Sequence, residues 1–142
     1  MQTFLPFPDY ERCAQVLDRQ RLGKQRVECL QIATALTNAN YGWQNHPAVK
    51  IWRGHLSGLI HYGLVICDEW TARGYKDSCR EKLLSLAAPS LKDEPGWLGS
   101  EEVHRSHRSN LLRKDAEHYA PHFEQGLPND LPYVWPVASV TN

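Results

Sequence analysis

The longest stretch of helical spacing runs from Pro47 to Gly74. Trp52, Leu56, Leu59, Gly63, Ile66 and Trp70 fall on one stripe, with Lys50, His61 and Asp68 opposite. Asn45-His46-Pro47 supplies a start, because proline suits a first helical turn and Asn45 or His46 can cap it. Gly74 supplies a left-handed stop after Arg73. The pattern predicts one helix of about 40 Å, at ~1.5 Å per residue, as the spine of the fold. No stretch alternates as a half-buried strand does. We therefore expect an all-α, compact single-domain fold over residues 1–142, built around one long central helix. A chain of 142 residues can bury a core without disulfides or a structural metal.

Shorter elements surround that spine. Pro6 and Pro8 make the first eight residues an extended lead-in. Asp9 can cap a short helix towards Asp18. A second helix is expected over 19–37, with Leu22, Cys29, Leu30, Ala33 and Leu36 on one face and Arg21, Lys24 and Glu28 on the other. Asn38 to Gly42 is a polar break. Asp77 or Ser78 can cap a helix to about Ala87, with Ser78 and Glu81 at capping-box spacing. Pro89 to Gly99 reads as a loop. Ser100 opens another helix, with Glu101 and Glu102 near its positive end, and Asp115 can cap a last turn or two before Pro121. The tail Leu131-Pro132-Tyr133-Val134-Trp135-Pro136 holds too much proline for helix and is expected to pack its aromatics across the helices.

Hydrophobic residues make up 42% and charged residues 23%, which excludes a disordered chain and a membrane-spanning one. The start, Met1 to Pro6, lacks the features of a signal peptide. Sixteen basic residues balance sixteen acidic ones, so bulk charge does not drive nucleic-acid binding, although a local basic face remains open. Cys13, Cys29, Cys67 and Cys79 form no Cys-x-x-Cys pair and read as reduced thiols of a cytoplasmic protein.

Four groups of residues could carry chemistry. Arg21, Lys24 and Glu28 project together, with Arg19 and Arg26 nearby in sequence; a carboxylate in a cationic surface can act on a sugar-phosphate, or the face can be plain solvated surface. The run from His104 to Lys114 holds four Arg or Lys residues and no acid, which suits phosphate contacts through Arg105, Arg108 and Lys114 or a polar outer face. His104 with His107, and His118 with His122, have the spacing of paired metal ligands, yet no further ligand completes a zinc signature. Tyr41, Trp43 and Tyr133 lie in loops, where an aromatic can stack on an unpaired base.

Together some of these residues carry a resemblance. Leu17-Asp18-x-Gln20-Arg21-Leu22, Glu28 six residues later, an aromatic-containing break and Asn45-His46-Pro47-x-x-x-x-Trp52 resemble the pyrimidine-dimer DNA glycosylase family. Cys67-x-x-Trp70-x-x-Arg73-Gly74-Tyr75 is similar to the end of that family's central helix. The resemblance covers residues 14–76. The run from His104 through Tyr119 to Trp135 is similar to a C-terminal block of bacterial and phage relatives.

The resemblance implies a compact all-α domain with the N-terminus inserted between helices. It implies metal-free chemistry with no cofactor: an N-terminal amine attacks the anomeric carbon, the base leaves, a Schiff base forms and β-elimination cuts the strand. Glu28 matches the essential helix glutamate, and Arg21 and Arg26 match arginines that grip kinked DNA. An α-amine has a reference pKa of ~7.7–8.0 against ~10.4 for lysine, so more of it is nucleophilic at neutral pH. Gln2 is too large for ordinary removal of the initiator methionine, which makes the amine that of Met1, with Lys24 as a substitute nucleophile. The expected partner is duplex DNA with a damaged or modified pyrimidine, bound by a monomer, with no membrane involved. Asn45 and His46 are expected to support the structure around the site. A non-catalytic nucleic-acid-binding module of the same fold and a histidine-based metal hydrolase stand as rival readings.

Overall fold

The computed structural model describes residues 1–87 and 93–136. Among them the chain is all-α: α1 (Tyr10–Val16), α2 (Arg19–Thr37), α3 (Pro47–Lys50), α4 (Leu56–Ala72), α5 (Cys79–Leu86), α6 (Glu101–Lys114) and α7 (Ala116–Tyr119), followed by a 3-10 turn over Ala120–His122. The part of the expected Pro89–Gly99 loop that falls on 89–92 lies outside the described residues; 93–99 is coil and turn.

Caps explain most boundaries. Asp9 accepts from Arg12 N and Asp18 from Arg21 N, both at 3.3 Å. Asp77 caps α5 by accepting from Cys79 N at 3.1 Å and Arg80 N at 2.9 Å, so the Ser78–Glu81 capping box does not form. His46 Nδ1 accepts from Ala48 N at 3.0 Å ahead of Pro47.

The 40 Å spine is a correction. The stripe from Pro47 to Arg73 is two helices, not one. After Lys50 the backbone tightens to three-residue turns, Trp52 N to Val49 O and Arg53 N to Lys50 O. Gly54 then takes a left-handed conformation at φ 86°, which interrupts the helix before α4 begins. The inward periodicity survives because both pieces pack on one core, and Trp52 and Leu59 are fully buried on either side of the break. α4 is about 25 Å long at ~1.5 Å per residue, and α2, with 19 residues, is the longest helix.

The core forms where α2 crosses α4. Leu22, Cys29, Ile32 and Ala33 meet Leu59, Tyr62 and Ile66, all fully buried. Gly63 makes the close approach possible: a Cβ there would lie 2.8 Å from Leu83 Cδ1 and 3.2 Å from Cys29 Cβ. The four cysteines are buried and unpaired, and burial pushes the Cys13 thiol up to about 12. No helix among the described residues is long and apolar enough to cross a membrane.

Candidate active site

Gln2 to Phe7 form a segment outside any helix or sheet. All six residues are buried. Buried backbone groups need partners, and here helix side chains supply them. Gln25 of α2 takes two positions: its Nε2 donates to Gln2 O and its Oε1 accepts from Phe4 N, both at 2.7 Å. Tyr62 donates to Phe4 O, and Trp52 Nε1 donates to Thr3 Oγ1 at 3.1 Å. His107 Nδ1 accepts from Leu5 N at 2.9 Å, while His104 Nδ1 donates to Leu5 O at 2.8 Å. Arg108 donates to Pro6 O at 2.9 Å, and Cys13 Sγ to Phe7 O.

That sleeve fixes where the chain's first nitrogen lies. Gln2 N donates to Glu28 Oε2 at 3.0 Å, and the Met1 amine lies 3.6 Å from the same oxygen. The two groups line one cavity of about 360 Å³ with Gln2, Phe4, Gln20, Arg21, Lys24, Lys114 and Tyr133. Glu28 is largely buried, whereas Lys24 and Lys114 are exposed on the rim. Burial and the neighbouring charges of Arg21, Arg113 and Lys24 pull the Lys114 pKa below its ordinary value, as expected where cations crowd one opening. His46 also feels the site: burial first, then the Met1 amine, hold its pKa low, against an opposing pull from Glu28. An aromatic series runs from there. Trp43 packs edge-on to His46, His46 to Trp135, and Trp135 tilts against Tyr133 in the cavity wall.

The structure thus brings together Met1, Glu28, Lys24, Arg21 and Lys114. It places the other expected residues outside that cavity lining. Arg108 is 6% exposed; its guanidinium is committed to Glu101, Glu124 and Pro6 O, so it braces the segment and faces no phosphate. Arg26 pairs with Asp77 at 2.5 Å and stacks 4.5 Å over Trp70, outside the cavity lining. Arg105 is exposed but lines a separate groove with Glu101, Glu102 and Leu131. Asn45 is exposed and leaves the cap of α3 to His46.

α6 is the larger surprise. Its polar run is buried from Ser106 to Asn110, not spread over a basic outer face. One side holds the N-terminal segment through His104, His107 and Arg108. The other holds the tail: Ser109 accepts from Leu131 N, Ser106 from Val134 N, and Asn110 donates to Leu131 O. Backbone groups occupy both ring nitrogens of His104 and one each of His107 and His118. His104 Nε2 accepts from Gly99 N, and His118 Nε2 lies 2.8 Å from Val16 O. Among the described residues no group of three or more His, Cys, Asp or Glu is placed to hold a metal ion. Gln25, Trp52, Tyr62 and the two α6 histidines are the positioning residues that sequence reasoning missed. Only the spacing of His104 and His107 on one helical face hinted at them.

Fold and cavity define an all-α protein that sets an α-amine beside a helix carboxylate under a cationic rim. The chain belongs to the pyrimidine dimer DNA glycosylase family, whose model matches residues 1–83. That match covers Met1, Arg21, Lys24 and Glu28, while Lys114, Tyr133 and the α6 clamp lie beyond it. No curated protein and no solved structure matches the chain.

Proposed function

We propose that the protein is a DNA glycosylase with abasic-site lyase activity, acting on damaged or modified pyrimidines in duplex DNA. The observation that carries this reading is the Met1 amine 3.6 Å from Glu28 Oε2, in a cavity open to solvent and rimmed by Arg21, Lys24 and Lys114. The Met1 nitrogen forms a bond to C1′, and the glycosylic bond breaks with its electron pair leaving on the base. Glu28 stabilises the positive charge that develops on the sugar and carries the proton lost by the new ammonium towards the departing base. Opening of the C1′–O4′ bond gives the imine. Loss of a C2′ proton then expels the 3′ phosphate.

The rim cations hold the phosphates on either side of the extruded nucleotide. Trp43 and Tyr133 offer aromatic faces for an unstacked base. Trp43 is 53% exposed and sits at φ 71°, a backbone region that bulky side chains rarely adopt. Its loop is nevertheless fixed: Gln44 Nε2 donates to Ala35 O, Asn38 O and Tyr41 O, and Arg53 braces Gln44. The loop holds the indole in solvent at a cost in backbone energy, which suits a binding platform.

Borohydride trapping on a duplex with one abasic site tests the reading. The wild type forms a covalent adduct whose Met1 carries the link, and Glu28→Gln lowers its yield at least about 100-fold with DNA affinity kept. DNA binding without any adduct from pH 6 to 9 leaves only the binding module.

A further inference from the structure

Asp18 does three things at once. It caps α2 by accepting from Arg21 N, its Oδ1 pairs with the guanidinium of the same arginine at 3.1 Å, and that oxygen also accepts from the Tyr119 hydroxyl. The Tyr119 oxygen in turn accepts from Asp18 N at 3.1 Å. One phenol therefore holds both the backbone and the carboxylate of one residue. Tyr119 is fully buried and stacks on Phe123, with ring centres 5.7 Å apart and planes 8° apart, so its position is fixed by packing. Burial pushes its pKa up, which keeps it a donor at neutral pH. Burial also works against the charge on Asp18, but the bonds from Tyr119 and Arg21 outweigh it and hold that carboxyl below its ordinary value.

Capping does not account for the tyrosine. Asp9 caps α1 through Arg12 N alone among the described residues. The ion pair does not account for it either. A pair three residues apart at a partly exposed helix start is weak, because the long arginine side chain has other rotamers of similar energy. A carboxylate fixed from behind narrows that choice. Arg21 lines the cavity beside Met1 and Glu28, and its charge reaches Lys114 and Tyr133 there. The tie to Asp18 uses Nη1, which leaves Nε and Nη2 to donate to a phosphate oxygen. A cation that is merely near the cavity raises affinity. One held in register also places the sugar for attack.

We propose that Tyr119 is a positioning residue for the amine chemistry: through Asp18 it fixes the Arg21 guanidinium on the cavity side, where it holds the phosphate next to the sugar that Met1 attacks. This rests on the function proposed above and extends the site to α7, beyond the residues 1–83 that the family model matches. The neighbouring His118 ring bonds Val16 O, so two consecutive side chains of α7 grip the corner between α1 and α2 from which Arg21 projects.

The test measures two quantities on an abasic-site duplex: the rate constant of borohydride trapping with saturating enzyme, and Kd by fluorescence anisotropy. At saturation the rate constant does not depend on the folded fraction. Tyr119→Phe keeps the buried ring and removes only the hydroxyl. Asp18→Asn keeps a good cap and removes the charge that holds Arg21. Each is made alone and together with Arg21→Ala. The trapping rate constant is expected to fall about tenfold in either single variant, with Kd within about threefold of wild type because the cation is still present. In the Arg21→Ala background neither change lowers the rate further. An unchanged rate constant overturns the proposal. So does a fall that persists undiminished without Arg21, since the hydroxyl then acts through the fold and not through the guanidinium. A fall in one variant and not in the other overturns it too, because the relay needs both links. Should Tyr119→Phe not fold, Asp18→Asn decides alone. A wild type that forms no adduct overturns the parent reading, and this inference with it.

Discussion

Two histidines of opposite tautomer hold the Leu5 peptide: His107 accepts its N–H and His104 donates to its carbonyl. Both must be neutral at the accepting positions they use. Burial, followed by the charge of His104, lowers the His107 pKa from 6.5 to about 3. The unfolded chain therefore takes up the proton first as pH falls. The stabilisation is complete above about pH 6.5 and drains away down to about pH 3. Linkage between those two values gives a loss of about 2.5 kcal/mol between pH 7 and pH 4.5 from His107 alone. His104 and His46, also held low mainly by burial, add to the same slope. Asp18, Asp77 and Glu124 have lowered pKa values, so their contribution is lost further down, as pH falls below their unfolded values of 3.8 to 4.5. Above pH 4.5 the histidines thus titrate apart from these carboxylates. His107→Asn keeps an acceptor near the Nδ1 position and cannot titrate. Urea midpoints from pH 7.5 to 4.5 are expected to show a lower stability for the variant at neutral pH and a slope shallower by about one proton, ~1.4 kcal/mol per pH unit. Parallel slopes for wild type and variant would refute the assignment of His107 as a neutral clamp.

Other outcomes follow from where the cations lie. Lys114→Ala is expected to reduce the salt dependence of binding to an abasic duplex by about one counterion while leaving the unfolding midpoint within about 0.5 kcal/mol. Arg108→Ala does the reverse, costing about 1–3 kcal/mol through the unsatisfied Pro6 carbonyl and lost packing, with the salt slope unchanged. Trp43→Asn replaces a residue strained at φ 71° by one that tolerates it, so stability holds or rises by up to about 1 kcal/mol. Affinity for the abasic duplex, read by fluorescence anisotropy, falls about tenfold or more if the indole stacks on a base. A loss of stability with unchanged affinity would make Trp43 a packing residue.

The all-α class, most helix boundaries and the pairing of Met1 with Glu28 were legible in the sequence. The break at Gly54 was not, because inward periodicity continues through a turn when both sides pack on the same core. Arg108 and the α6 histidines were misread for a related reason. A polar helix face normally means solvent, and here it faces two extended segments whose peptide groups need hydrogen bonds. Nothing in the local pattern of 101–114 announces that the partner is residues 2–7, about a hundred positions away. Arg26 was legible as a cation but not as Asp77's partner, since the pairing depends on how α5 returns against α2.

The clamp across Leu5 and Pro6 also sets an order of assembly. Its partners lie about 100 residues downstream, at His104, His107 and Arg108. During synthesis the leading segment emerges first, and Leu5 and Pro6 stay without these partners until α6 has cleared the ribosome. Closing so long a loop carries an entropic penalty that only the completed helical scaffold can offset. A chain halted before residue 104 keeps the side chains that hold residues 2–4, namely Gln25, Glu28, Trp52 and Tyr62, and lacks those that hold Leu5 and Pro6, so the two ends of the leading segment are secured by opposite ends of the chain.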